Sequence, residues 1–122
     1  MTKYYYCTNG DGTTHNGFRP FAGGPVAIAP DWIPDDRECG NALHCCAHNP
    51  LRCLGYVTRE NPVIHEVEPV DARPEKGGKI RARQLIDRGV VDITEAMLLR
   101  GAEDANAGVR RAAMQHPNYP RK

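Results

Sequence analysis

Along this chain the apolar positions fall into short alternating runs, separated by stretches rich in Gly, Pro, Asn and Asp. Residues Tyr4 to Thr8 are aromatic and β-prone, and Asn9-Gly10-Asp11-Gly12 closes them with a turn signal, which predicts a first strand. From Thr13 to Glu38 only isolated anchors occur (Phe18, Phe21, Val26, Ile28, Trp32 and Ile33), predicting a long irregular excursion pinned by its own side chains. Ala42 to Ala47 predicts a short strand with Leu43 and Cys45 on one face and His44 and Cys46 on the other. Asn49-Pro50 then has the form of a helix start, with Asn49 as N-cap, Pro50 in the first position, and Leu51, Leu54 and Tyr56 on the buried side. In Val63 to Val70 the residues Val63, His65 and Val67 alternate with Ile64, Glu66 and Glu68, and Pro69 marks an edge or a last residue. After a turn at Gly77-Gly78, Ile80, Ala82 and Ile86 oppose Arg81 and Arg83 in a further strand. Asp92 to Leu99 predicts a helix with Asp92 and Glu95 as a capping box, ended by Gly101. A second helix follows from Asp104 to Gln115, with Val109, Ala112 and Ala113 as its apolar side and His116-Pro117-Asn118 as its stop.

These elements predict an α+β fold. It comprises a small, mainly antiparallel sheet of four or five strands, one short helix after the histidine-bearing strand, and a C-terminal helical pair. Residues 1–90 read as the α+β domain and 91–122 as a helical appendage. The length of 122 residues suits one compact domain, and 40% hydrophobic with 25% charged residues argues against disorder. Sixteen Lys+Arg against fifteen Asp+Glu leave a formal charge of +1, so no global field points to nucleic acid or acidic lipid. No apolar run approaches the roughly 20 residues needed to cross a bilayer, and no apolar region follows Met-Thr-Lys-Tyr-Tyr-Tyr as a signal peptide requires. The expected compartment is the cytoplasm.

Cysteine use adds candidate chemistry. Five cysteines occur, and Cys39, Cys45, Cys46 and Cys53 cluster around His44 and His48. A reducing compartment argues against structural disulfides, which leaves packed thiols, a bound metal or reactive chemistry. His44 and Cys46 share a strand face and Cys39 can fold back across Gly40, so Cys39, His44 and Cys46 form a candidate zinc set. The adjacent pair Cys45-Cys46 does not have the spacing of a zinc knuckle. The plain alternative for His44 is a core histidine bonded to backbone. His15, His65 and His116 are scattered and carry no signal alone. No phosphate-binding loop, nucleophile elbow, zinc-protease helix or dinucleotide glycine motif is present, and Asn9 to Gly12 lacks the acidic positions of a calcium loop.

The stretch holding Arg73, Lys76, Lys79, Arg81, Arg83 and Arg88 against Glu75 and Asp87 is the most basic part of the chain. It reads as a solvated strand face or as a contact for an anion or nucleotide phosphate. No aromatic residue interleaves these charges, which argues against single-stranded nucleic acid as partner.

The string Cys39-Gly40-Asn41-Ala42-Leu43-His44-Cys45-Cys46 is followed by Asn49-Pro50-Leu51 and Tyr56. With the opening tyrosine strand, Gly17-Phe18, Glu66-Val67-Glu68 and the basic strand after Gly77-Gly78, it resembles a small uncharacterised domain of phage and bacterial proteins. The likeness spans roughly residues 3 to 88 and departs from that family at Ala42, where glycine is preferred, and at the extra Cys45. It implies a layout and a phage or mobile-element source rather than a reaction. Residues 102–118, through Asp104, Asn106, Val109, Arg110, Ala112, Ala113, Pro117 and Asn118, resemble one unit of HEAT-like leucine-rich-variant repeats. Such units normally stack, so this one is expected to pack on the rest of the chain or to join copies into a homo-oligomer.

The order of elements also resembles compact ADP-ribosyltransferase-like domains, which hold NAD in a cleft between two small sheets. That resemblance implies His44 on a ribose hydroxyl, Tyr56 stacked on nicotinamide, and Glu66 or Glu68 stabilising an oxocarbenium-like transition state. It implies Arg19 or Arg81 against the pyrophosphate. Three functions follow: a non-enzymatic binding module for a nucleotide or a host protein, an NAD-binding enzyme, and a zinc-stabilised structural domain. The first takes precedence, because no complete catalytic constellation assembles from the sequence.

Overall fold

The computed structural model describes residues 2–14, 17–30, 43–56, 60–74 and 79–120, with Gly55 and Tyr56 described by their backbone alone. The chain runs β1 (Tyr4–Thr8), β2 (Val26–Ile28), β3 (Leu43–Ala47), α1 (Arg52–Tyr56), β4 (Val63–Val70), β5 (Arg73–Pro74), β6 (Lys79–Ala82), β7 (Gln84–Val90), α2 (Glu95–Gly101) and α3 (Ala107–Gln115). The strands form one antiparallel sheet in the order β2-β7-β4-β1-β3-β6-β5. The α+β class read from the sequence is correct.

The strand order forces the sheet to curl. Only Arg83 separates β6 from β7, yet β4, β1 and β3 lie between them in the sheet. Laid flat, the two would stand about 19 Å apart at the usual strand spacing. Two consecutive Cα–Cα steps reach about 7 Å. The same holds for β4 and β5, which only Asp71 and Ala72 join. Both constraints are met at once because β4–β5 and β6–β7 form one long hairpin bent at a corner. Its first half pairs as β4·β7 and its second as β5·β6, and the second half swings round to pair with β3. At the corner Asp71 takes a left-handed backbone conformation (φ 53°). The Arg83 N–H donates to the Val70 carbonyl (3.1 Å), and its guanidinium lies 3.5 Å from the Asp71 carboxylate. The result is a barrel-like wrap with an inside and an outside.

Strand alternation assigns the two sides. Tyr6, Leu43, Cys45, Val67, Ala82 and Leu85 pack inside with Ala27 and Ala29, and Phe18 and Phe21 lean on them from the β1–β2 loop. Outside, Tyr5, Cys7, Cys46 and Ile64 meet Leu51 and Cys53 of the α1 segment, Leu98 of α2, and Val109 and Ala113 of α3. The repeat-like segment therefore buries its apolar side against the preceding helices and the sheet. Gly101 allows this close approach: a Cβ there would lie 2.5 Å from Leu51 Cδ1 and 3.0 Å from Ala113 Cβ.

Local signals explain most element boundaries. The Leu51 N–H donates to Asn49 Oδ1 (3.0 Å), so Asn49 caps α1 as its sequence suggests. For α2 the cap is Thr94, whose hydroxyl accepts from the Met97 N–H (3.2 Å), rather than Asp92. Asn106 caps α3 by accepting from the Val109 N–H (3.1 Å), which shortens that helix relative to the expected Asp104 start. Among the described residues seven strands replace the expected four or five. The excursion after Thr13 contains β2, and the run Ile80 to Ile86 breaks at Arg83 into two strands. Trp32 and Ile33 lie outside the described residues.

Candidate functional site

The outer faces of β3, β6 and β5 carry one cross-strand row. His44 lies directly opposite Arg81, and Arg81 directly opposite Arg73. A second row beside it runs Lys79, Cys46, Tyr5 and Glu66 across β6, β3, β1 and β4. Directly opposite residues share a face, so the ladder alone groups His44, Arg81, Arg73 and Lys79 on one surface. Their exposure is graded. Arg81 is 1% exposed, His44 and Lys79 are half-buried, and Arg73 is open to solvent. A buried guanidinium stays charged and is stable only with compensating negative charge or hydrogen-bond acceptors.

The structure thus brings two of the sequence-derived ligand residues together, His44 and Arg81. The others stand elsewhere. Glu66 lies across β1 from β3 and faces Lys3 at 3.5 Å. Two strand spacings plus the step along the strand separate it from His44 by about 12 Å. Glu68 is ion-paired with Arg88 on β7. Arg19 sits in the β1–β2 loop, where its guanidinium donates to the Asp11 carbonyl (2.9 Å). The backbone of Tyr56 ends α1, and its side chain lies outside the described residues. In place of two small sheets around a cleft, the described strands form a single curled sheet.

Of the candidate zinc set, Cys39 lies outside the described residues. Cys46 does share the outer face with His44, but its sulfur turns toward α1, 2.8 Å from Cys53 Sγ and 3.6 Å from the Asn49 carbonyl it donates to. Among the described residues no group of three or more Cys, His, Asp or Glu side chains is arranged to hold a metal ion. Burial pushes the Cys45 thiol up to about 12, and burial, then the Cys46 contact, raises Cys53 well above the ordinary thiol value. Both therefore remain neutral thiols at physiological pH.

One pair escaped sequence reasoning. His65 Nδ1 lies 3.2 Å from Asp87 Oδ1, which also accepts the Gly89 N–H (3.0 Å). Phe21 lies 5.1 Å from the imidazole and meets Tyr6 edge-on at 6.1 Å. A carboxylate only accepts, so Nδ1 carries the proton. This cluster lies on the inner face of the sheet, where His65 stands directly opposite Tyr6. Its only sequence signal was the inward phase of His65 beside Val67.

No protein-family model matches the chain, and neither a curated protein nor a solved structure is detectably similar to it. Among the described residues no helix is long and apolar enough to cross a membrane.

Proposed function

We propose that this protein is a small non-enzymatic binding module whose recognition surface is the row His44, Arg81 and Arg73 with Lys79 beside it. Its ligand class is an anion bearing phosphate groups, such as a nucleotide. One observation carries the reading: the β3·β6·β5 register stacks these side chains in one line on a shared face. Like charges directly opposite one another weaken a ladder, and an anion bound at the exposed Arg73 end of the row offsets the positive charge gathered there. Arginine forks suit the planar pairs of oxygens on phosphate, and the half-buried imidazole adds a donor for a hydroxyl or a phosphate oxygen. The separation of Glu66 from His44 favours binding over glycosidic chemistry. On the motif likeness, we place the protein in the cytoplasm of a host cell, as the product of a phage or mobile element.

Thermal unfolding of the full chain with pyrophosphate, ADP-ribose, NAD and cyclic nucleotides tests this reading. At about 100 times Kd a ligand of the native state adds about 2.7 kcal/mol, several degrees in Tm. Arg73→Glu, a change at an exposed side chain, is expected to weaken that ligand at least tenfold without lowering the unliganded Tm. Equal shifts in wild type and variant, or no shift with any phosphate compound at millimolar concentration, overturn the reading.

A further inference from the structure

We infer that Cys46 and Cys53 are an oxidative modification site that closes to an intrachain disulfide between β3 and α1. The argument starts from how the two sulfurs come to face each other. Cys46 projects from the outer face of β3, the face opposite Leu43 and Cys45. Past Ala47 the chain reverses through His48, in a left-handed conformation (φ 72°) held by its N–H on the Lys3 carbonyl (2.9 Å). Asn49 then caps α1, its side-chain amide reaches Asp104 (3.3 Å), and Leu51 is buried beneath α2 and α3. These restraints, none of which involves sulfur, set α1 down with Cys53 Sγ 2.8 Å from Cys46 Sγ.

The two sulfurs stand 2.8 Å apart, closer than the van der Waals separation of two sulfur atoms, on elements already fixed by packing, so a bond between them needs a further approach of only about 0.8 Å. Cys45 is excluded as a partner because it points into the barrel. Cys7 shares the outer cluster from β1 and is the competing thiol. Both sulfurs are buried, so the oxidant must be small. A hydroperoxide fits. The Cys46 sulfur attacks the terminal peroxide oxygen as its thiol proton is given up, the O–O bond breaks, and the departing alkoxide or hydroxide takes that proton. The sulfur is left as a sulfenic acid, oxidised by two electrons as the peroxide is reduced. The second thiol then attacks that sulfur, the S–O bond breaks, and the hydroxyl leaves as water with the second thiol's proton. The S–S bond joins the two elements, and the sum is two thiols and one hydroperoxide giving a disulfide, an alcohol or water, and water.

Full-length reduced protein exposed to hydrogen peroxide, quenched and alkylated under denaturing conditions, is expected to alkylate at Cys7, Cys39 and Cys45. A dithiothreitol-reversible link should join the peptides holding Cys46 and Cys53. The bridge ties α1 to the sheet, so the oxidised form should melt about 5–10 °C higher. Cys45→Ser should retain the link and Cys53→Ser should abolish it. Mapping on the wild-type chain decides the question even where a variant fails to fold. Five alkylated cysteines after an exposure that oxidises a free dithiol control overturn the inference. So does a bridge through Cys7, Cys39 or Cys45, or overoxidation of one sulfur without a bridge.

Discussion

The inside and the outside of the curled sheet are built from the same strands to opposite ends. Inside, small and aliphatic side chains (Ala27, Leu43, Val67, Ala82 and Leu85) fill most of the wrap, and the paired titratable groups His65 and Asp87 share that face. Outside, the alternate residues of those strands supply thiols under the helices and, beyond them, the cationic row toward β5. A curled sheet has a fixed inner volume but an outer face that other segments can cover or leave open. Packing therefore dominates the first set of positions, and chemistry has room in the second.

The largest expected effect comes from breaking the inside. Leu85 is fully buried against strands whose curvature is fixed by the corner, so Leu85→Ala leaves a cavity and should cost about 2–5 kcal/mol in denaturant unfolding. On the outside, Gly101→Ala places a methyl group 2.5 Å from Leu51 Cδ1, and the forced displacement of α1 should cost about 1–3 kcal/mol. That variant also separates the two layers. It should slow closure of the Cys46–Cys53 bridge, whereas Leu85→Ala should leave the bridging partners unchanged. Asn106→Ala removes the α3 cap and should cost about 1 kcal/mol, with amide exchange fastest in residues 107–110.

The smallest effect is a pH dependence. Burial lowers the His116 pKa below its ordinary value near 6.5, and its Nδ1 accepts the Asn118 N–H (3.0 Å), a role only the neutral ring can fill. The unfolded chain then binds more protons than the native one just below pH 6.5. Stability should be full above that pH and fall as the pH drops toward the lowered native value. His116→Gln should flatten the slope between pH 7 and 5; an identical slope in both proteins would assign the dependence to another group.

Much of this architecture is legible locally. β1 and β4 follow from aromatic and alternating runs with turn residues beside them, and α1 follows from Asn49-Pro50. The opposite phases of His44 and Cys45 follow from alternation alone. Other features are not local. β2 and β5 are too short to show a period, and alternation continues through Arg83, so nothing in the sequence announces the corner. Thr94 competes with Asp92 as a cap, and only the position of the first helical turn decides between them. The nearness of Arg81 to His44, and of Cys53 to Cys46, depends on which strands pair and on where α1 lands. Spacing along the chain carries no record of either.

The central place of β1 has a consequence for how the chain acquires its shape. Tyr4 must find Ala47 on one side and Val67 on the other, and no hairpin partner adjoins it. During synthesis the first strand therefore waits, tyrosines uncovered, until β4 has emerged. Folding should be slow for so short a chain, and a ribosome-bound fragment ending before β4 should be prone to association.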